Sequence, residues 1–257
     1  MRERNLHTVC EEARCPNIGE CWSNKTATFL ILGAICTRGC RFCAISKGKP
    51  NLLDPEEPRN VALVVKELGL AHIVVTSVNR DDLPDGGSAH FARTVFWIRL
   101  LNPGTRVEVL IPDFKGDDKA LETVVRSGIH ILNHNLETVP RLYKKVRPGA
   151  VYQRSLNVLK AAKEMRGEIL TKSGLMLGVG EGAEEVMTTL QELREIHCDI
   201  VTLGQYLQPS EDQLPVERYV PPSEFQELKR EAEKLGFRHV ESGPLVRSSY
   251  HAWSHVS

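Results

Sequence analysis

Residues 28–45 read TFLILGAICTRGCRFCAI, an apolar run from Thr28 to Leu32 that passes through Gly33 into three cysteines, Cys36, Cys40 and Cys43, spaced C-x3-C-x2-C. A run of that length closed by a glycine reads as a buried strand, with the cysteines on the loop that leaves it. Working outward, the same alternation recurs. Apolar runs at Thr28–Leu32, His72–Thr76, Arg106–Ile111, Ile129–Asn133, Ile169–Gly178, Ile200–Gly204 and Phe237–Glu241 are separated by amphipathic stretches. Val61, Val64, Val65 and Leu68 share one helical face, as do Phe225, Leu228, Ala232 and Leu235, and both stripes are expected to face a core. Strands separated by helices lie parallel through right-handed crossovers, and about six such units make an α/β fold of the partial (β/α)6 TIM type rather than a closed eight-stranded barrel. Ligands bind at the carboxyl ends of such strands. The cysteine loop is therefore expected at the mouth, joined there by TSVNRDDLPDGG from Thr76, HNLET from His134 and GLMLGVGE from Gly174.

Six of the seven cysteines lie in the first 43 residues, with Cys10, Cys15 and Cys21 (C-x4-C-x5-C) preceding the triplet above. Thiolates closely spaced on Gly- and Pro-punctuated segments converge on soft metal centres, and three ligands per set leave one coordination position open for chemistry. Three competing arrangements fit less well. Disulfide frameworks belong to short secreted chains with even cysteine counts. Structural zinc is usually closed by a fourth cysteine or a histidine at finger spacing. Two-cluster electron carriers of the bacterial type use C-x2-C-x2-C-x3-C-P, which is absent here. Cys198, in IHCDIVTL, reads as a small buried hydrophobe.

A chain of 257 residues is ordinary for one α/β barrel, and 41% hydrophobic content allows a sizeable core. Lys+Arg and Asp+Glu are both 33, so a formal net charge of zero gives no global attraction to nucleic acid or to a membrane, and neither is expected as a partner. No apolar run approaches the length of a bilayer span, and the first residues resemble neither a secretory signal nor a transit peptide. A soluble, cytoplasmic protein in a reducing compartment is expected, or one of an organellar matrix or stroma if a targeting segment precedes this chain.

The same motifs carry a resemblance. C-x3-C-x2-C after the first strand of a strand–helix repeat resembles the radical S-adenosylmethionine (SAM) superfamily. CEEARCPNIGECW, CTRGCRFCAI, TSVNRDDLPDGG, LIPDFKG, HNLETVPRLY, TKSGLMLGVGE, LGQYLQPS and GPLVRSSYHA together resemble the lipoyl synthase family, in family order over essentially the whole chain. The resemblance implies one radical SAM domain over 1–257, in which 1–27 carry an auxiliary cluster, 28–241 form the partial barrel and 242–257 the RSSY tail, the two extensions covering the open mouth. It implies two 4Fe-4S clusters. Cys36, Cys40 and Cys43 would hold the first, with the amino and carboxylate groups of SAM on its fourth iron; reductive cleavage then yields methionine and a 5′-deoxyadenosyl radical. Cys10, Cys15 and Cys21 would hold the auxiliary cluster, with Ser249 of the tail, in preference to Ser248, on its fourth iron. Oxygen is a harder ligand than thiolate, so that iron is expected to be released first.

The implied reaction is sulfur insertion at carbons 6 and 8 of an octanoyl group amide-linked to a carrier lysine, forming the lipoyl cofactor. It uses two SAM per lipoyl group and consumes the auxiliary cluster as sulfur source. The unactivated methylene at carbon 6 and methyl at carbon 8 offer no acidic proton and no leaving group, so a radical must open them, while the protein fixes geometry and excludes competing hydrogen donors. The implied partners are octanoylated lipoyl carrier domains (E2 subunits of 2-oxoacid dehydrogenases and the glycine cleavage H protein), an electron donor such as ferredoxin or flavodoxin, and an iron-sulfur carrier for cluster repair. The alternatives are another radical SAM sulfur-inserting enzyme, against which the first triplet and the RSSY tail argue, and two modules that bind no SAM: an iron-sulfur electron carrier or a zinc-stabilised interaction module.

For SAM itself, the Gly-Gly-Glu that many superfamily members carry after the second strand is replaced by Thr76-Ser77-Val78-Asn79, leaving Thr76 and Ser77 on the amino-group side. Asn135 and Glu137 are placed to bond the ribose, or else Asn135 caps a helix starting near Glu137. Gly174, Met176, Gly178 and Glu181 follow G-x-I-x-G-x-x-E with Met176 in the isoleucine position, a backbone surface suited to adenine. Lys172 and Arg147 are basic residues expected near strand ends, facing the SAM carboxylate or substrate, or else solvated. Relatives usually carry an extension of several tens of residues before HTVCEEA, so a shortened amino terminus is expected.

Overall fold

Every apolar run above becomes a strand, and no end moves by more than two residues. The computed structural model describes residues 6–9, 17–250 and 252, so Cys10 and Cys15 lie outside the described residues. The strands are β1 (His7–Thr8), β2 (Thr26–Ile31), β3 (Ile35–Cys36), β4 (Ser46–Lys47), β5 (His72–Ser77), β6 (Arg106–Leu110), β7 (Ile131–Asn133), β8 (Leu170–Leu177), β9 (Ile200–Gln205) and β10 (His239–Gly243). The helices are α1 (Ile18–Ser23), α2 (Glu57–Leu68), α3 (Ser88–Leu101), α4 (Asp118–Val125), α5 (Tyr143–Val146), α6 (Tyr152–Met165), α7 (Ala183–Glu195) and α8 (Pro222–Lys234).

The large sheet runs β1-β2-β5-β6-β7-β8-β9-β10, with β1 antiparallel to β2 and every other pairing parallel. Six helical crossovers, α2, α3, α4, α6, α7 and α8, link the parallel strands. Among the described residues no pairing joins β10 to β1, so this is an open barrel. All residues of β2 are buried, as expected of a parallel strand covered on both faces. Phe29, Ile31, Ile73, Val107, Val109 and Leu203 are fully enclosed, each contributing about 1.5–3 kcal/mol of burial. Helix α2 buries Val61, Val64 and Val65 and is closed by Gly69 at φ 57. Leu68 departs from the expected stripe. It is 42% exposed, because the helix has reached its last residue and is turning away from the sheet. Among the described residues no helix is long and apolar enough to cross a membrane.

Lys172 requires a correction. It sits in the first half of β8, opposite Asn133 and Ile200, and is wholly buried inside the barrel rather than at the mouth. Its Nζ lies 3.0 and 3.3 Å from the Glu108 carboxylate oxygens, and Asn133 Nδ2 donates to Glu108 Oε1 at 3.1 Å. Side chains alternate along a strand, and position 172 falls inward, where Glu108 of β6 supplies a buried counter-ion and Glu241 adds a favourable charge. Burial pushes the Lys172 ammonium down, and Glu108 opposes that shift.

Candidate active site

The cysteine loop begins at a strained residue. Leu32, the first residue after β2, has φ 70, a left-handed conformation unfavourable for a branched side chain. Both its backbone groups are held by buried side chains: the N–H donates to Glu57 Oε2 at 2.9 Å, and the carbonyl accepts from Arg80 at 3.1 Å. His90 braces Glu57 at 2.7 Å. The chain thus leaves the barrel in one direction, into the short β3–β4 pair that carries Cys36.

Further contacts tie this loop to its neighbours. Arg38, within the triplet, bonds Asp81 through Nε (2.6 Å) and Nη2 (2.9 Å) and pairs with buried Asp113 at 2.6 Å. One guanidinium therefore joins the loops after β2, β5 and β6 by charge-assisted bonds. Arg41 N donates to Val146 O at 2.9 Å and Leu214 N to Arg41 O at 2.9 Å, adding the loops after β7 and β9. These charged partners were present in the NRDDLPDGG and LIPDFKG motifs, but the sequence does not pair them.

Cys36 Sγ accepts backbone N–H groups of Arg38 and Asn79, each at 3.4 Å. Burial pushes the Cys40 thiol up and the Cys43 thiol up to about 11; Cys36 adds to the first shift, and Cys36 with Cys40 to the second. Positive charge favours the thiolate forms of Cys40 and Cys43, and a bound iron centre deprotonates its thiols outright. Among the described residues no three His, Cys, Asp or Glu side chains are gathered tightly enough for one bare ion. A cubane asks for a wider set, one thiolate per iron, and the loop's N–H···S bonds suit such thiolates.

Beside Cys40 stands Arg147, which sits not at a strand end but at the carboxyl-terminal cap of α5. Its Nη1 donates to the carbonyls of Asn135 (2.8 Å) and Leu136 (3.2 Å), and its charge partly offsets the burial of Cys40. Asn135 is buried and uses Nδ2 twice, toward Glu137 Oε1 (3.1 Å) and Ser248 Oγ (2.6 Å), while its Oδ1 has no partner. The capping role is overturned: Glu137 has φ 68, and helical turns resume only at Pro140. Instead, Glu137 N donates to Gly174 O (2.9 Å) and Met176 N to Glu137 O (2.8 Å), an isolated bridge that carries the β7 chain along β8 to the mouth. Burial raises the Glu137 carboxyl, and Arg147 and Asn135 oppose this. His134 donates Nδ1–H to Ile111 O at 2.8 Å; burial pushes its ring down to about 4, so Nε2 is a buried lone pair without a partner.

Gly174 keeps Asn135 in place, since a Cβ there would stand 2.7 Å from Thr202 Oγ1 and 3.0 Å from Asn135 Oδ1. Gly178 turns at φ 97, and its N–H, with that of Val179, is taken by Glu181 (2.6 and 3.0 Å), so Glu181 shapes the turn. Thr76 and Ser77 close β5: Thr76 spends its hydroxyl on Leu110 O (2.9 Å), whereas buried Ser77 Oγ has no partner. Cys198 is core, its thiol pushed up to about 12 by burial.

The two ends of the chain meet over this mouth. Asn17 Nδ2 donates to Leu245 O at 2.6 Å, and Tyr250 to Glu20 at 3.0 Å, so α1, with Cys21, lies against the tail bearing Ser248 and Ser249. Burial and the bond to Glu20 push the Tyr250 phenol up, and Cys21 adds to the shift.

The open parallel barrel with a cysteine triplet at its mouth defines the class: the model of the Radical SAM superfamily matches residues 30–193. Among solved structures, methylornithine synthase (PylB) superposes with TM-score 0.60 at 16% identity, covering 93% of this chain and 80% of that one. Streptococcus suis SuiB bound to its precursor peptide gives 0.66 at 10%, covering 88% and 52%. These likenesses establish the fold. At the level of sequence, the lipoyl synthase of Roseiflexus sp. (strain RS-1) is 58% identical over 257 residues, 100% of this chain and 85% of the relative. That of Rubrobacter xylanophilus is 60% identical over 252 residues, 98% and 78%. The chain belongs to the lipoyl synthase family.

Proposed function

We propose that this protein completes the lipoyl group by radical SAM sulfur insertion at carbons 6 and 8 of an octanoyl-lysine on a carrier protein, using two 4Fe-4S clusters and two SAM per product. The observation that carries this beyond a one-cluster enzyme is the meeting of α1, with Cys21, and the RSSY tail over the mouth that holds the first triplet. When bound, the first cluster and SAM supply a carbon-centred radical able to take hydrogen from an unactivated methylene or methyl carbon, and the auxiliary cluster is spent as the sulfur-donating substrate. Cys36, Cys40 and Cys43 would hold the first cluster, with Arg147 tempering the negative charge beside Cys40. Asn135 and Glu137 would take the ribose, Gly174, Met176 and Gly178 would border the adenine, and Thr76 and Ser77 the amino group. Cys10, Cys15, Cys21 and Ser249 would hold the auxiliary cluster. The chain works as one domain over residues 1–257.

Octanoylated carrier domains, a low-potential electron donor and an iron-sulfur carrier for repair are the partners this chemistry requires. Six cysteines that must stay reduced favour a cytoplasmic or similarly reducing compartment. Anaerobic reconstitution tests the proposal: about eight irons per chain are expected, with half lost and SAM cleavage abolished when Cys36, Cys40 and Cys43 become alanine. A full iron load in that variant, or stoichiometric zinc in the native protein, overturns it.

A further inference from the structure

Two adjacent serines stand in the tail, and the structure separates them. Ser248 Oγ is 2.6 Å from Asn135 Nδ2, across 113 residues of chain. The other proton of the same amide goes to Glu137 Oε1 at 3.1 Å. Asn135 Nδ2 is the donor in both contacts, so Ser248 accepts the second N–H. Its own hydroxyl proton is then directed away from Asn135.

The chain Glu137–Asn135–Ser248 has little room to rearrange. A Cβ on Gly174 would stand 3.0 Å from Asn135 Oδ1, and one on Gly204 would stand 2.1 Å from the carbonyl oxygen of Val246, so the amide fills the space beside Gly174 and the tail lies directly on the end of β9. Asn135 Oδ1 remains buried without a partner.

We propose that Ser248 is a positioning residue that couples SAM binding to docking of the carboxyl-terminal tail, through Asn135 and Glu137. SAM held on Asn135 and Glu137 fixes the amide that Ser248 accepts from. The docked tail in turn fixes Asn135 for SAM, as linkage requires of any two coupled binding events. This coupling rests on Asn135 and Glu137 being SAM contacts.

The test uses the reconstituted full chain without reductant, so that SAM stays intact. Equilibrium dialysis gives the SAM dissociation constant, and hydrogen exchange follows the backbone of residues 244–250 with and without SAM. For Ser248→Ala, loss of one hydrogen bond is expected to weaken SAM about two- to tenfold and to abolish the SAM-dependent slowing of exchange in the tail. Ser248→Thr, which keeps the hydroxyl, is expected to restore both. The auxiliary-cluster Mössbauer signature should be native in both variants, which distinguishes positioning from ligation. Native SAM affinity with native SAM-dependent tail protection in Ser248→Ala overturns the inference, as does an altered auxiliary-cluster spectrum. Asn135→Ala separates the two levels. If it weakens SAM while Ser248→Ala does not, the coupling alone fails; if it leaves SAM affinity native, the SAM role of Asn135 fails and the coupling with it.

Discussion

Gly204→Ala is expected to lift the tail from the barrel while leaving the barrel intact. Gly204 lies in β9, opposite Met176 and Gly243, where alanine suits the backbone, so only space decides the outcome. A Cβ there would stand 2.1 Å from Val246 O, against the 3.0 Å below which real Cβ contacts are essentially never seen, so the carbonyl must retreat by about 0.9 Å. Two bonds flank the clash, Asn17 to Leu245 O and Asn135 to Ser248 Oγ, both at 2.6 Å. A retreat of that size takes each to about 3.5 Å, beyond the useful N–H···O range. At about 0.5–1.5 kcal/mol apiece, their loss weakens docking by about 1–3 kcal/mol, or about 5- to 150-fold in the ratio of docked to free tail. Hydrogen exchange over residues 244–250, read beside lipoyl yield and 5′-deoxyadenosine formation, measures this directly. Faster tail exchange and falling lipoyl yield are expected, with 5′-deoxyadenosine still formed. Native tail protection together with native yield would refute the steric reasoning.

Three further outcomes follow from particular side chains. Ser249→Ala should retain SAM cleavage but lose most sulfur insertion, and Ser249→Cys, a softer and more tightly held ligand, should also slow turnover; near-native yield from Ser249→Ala with an unaltered Mössbauer spectrum removes Ser249 from the mechanism. Lys172→Met takes from buried Glu108 its lysine partner and should cost about 3–5 kcal/mol, read as a lowered thermal midpoint; an unchanged midpoint contradicts the pairing. Burial alone would raise the Asp113 carboxyl, but the Arg38 guanidinium and the Lys115 amide outweigh it and hold it at about 2, below its ordinary 3.8. Because the folded value is the lower one, this carboxylate stabilises the fold fully above about pH 4, and the contribution disappears as pH falls through about 2. Asp113→Asn should therefore lose about 2 kcal/mol at neutral pH and flatten the acid limb of stability between those values, and an acid limb identical to the native one would contradict it.

The barrel is legible in the sequence because parallel strands buried on both faces are continuous apolar runs, and TFLIL, HIVVT and IVTLG are unmistakable as such. The two-residue strands β1, β3 and β4 have no pattern to read. Lys172 misleads for a physical reason. A lysine in an apolar run looks like a rim residue until the register sets it inside the barrel with Glu108, 64 residues away. Asn135 misleads similarly: Asn before a short polar stretch suits a helix cap, but the left-handed Glu137 returns the chain to the β8 ladder. The cysteine triplet could be found from spacing, and Gly174 and Gly178 from the superfamily's G-x-I-x-G-x-x-E pattern. The Arg38 clamp and the bond from Asn135 to Ser248 could not, since each joins segments whose proximity only the curved order of the strands creates.

The most direct measurement is a single-turnover reaction with protein whose clusters have been reconstituted with heavy-isotope sulfide, given an octanoyl-lysine carrier peptide, SAM and reductant, with mass spectrometry of the product. Both lipoyl sulfurs are expected to carry the heavy isotope, and the variant with Cys10, Cys15 and Cys21 replaced by alanine is expected to form 5′-deoxyadenosine but no lipoyl product. Unlabelled sulfur in the product, or lipoyl formation by that variant, would contradict an auxiliary cluster that is spent as the sulfur donor.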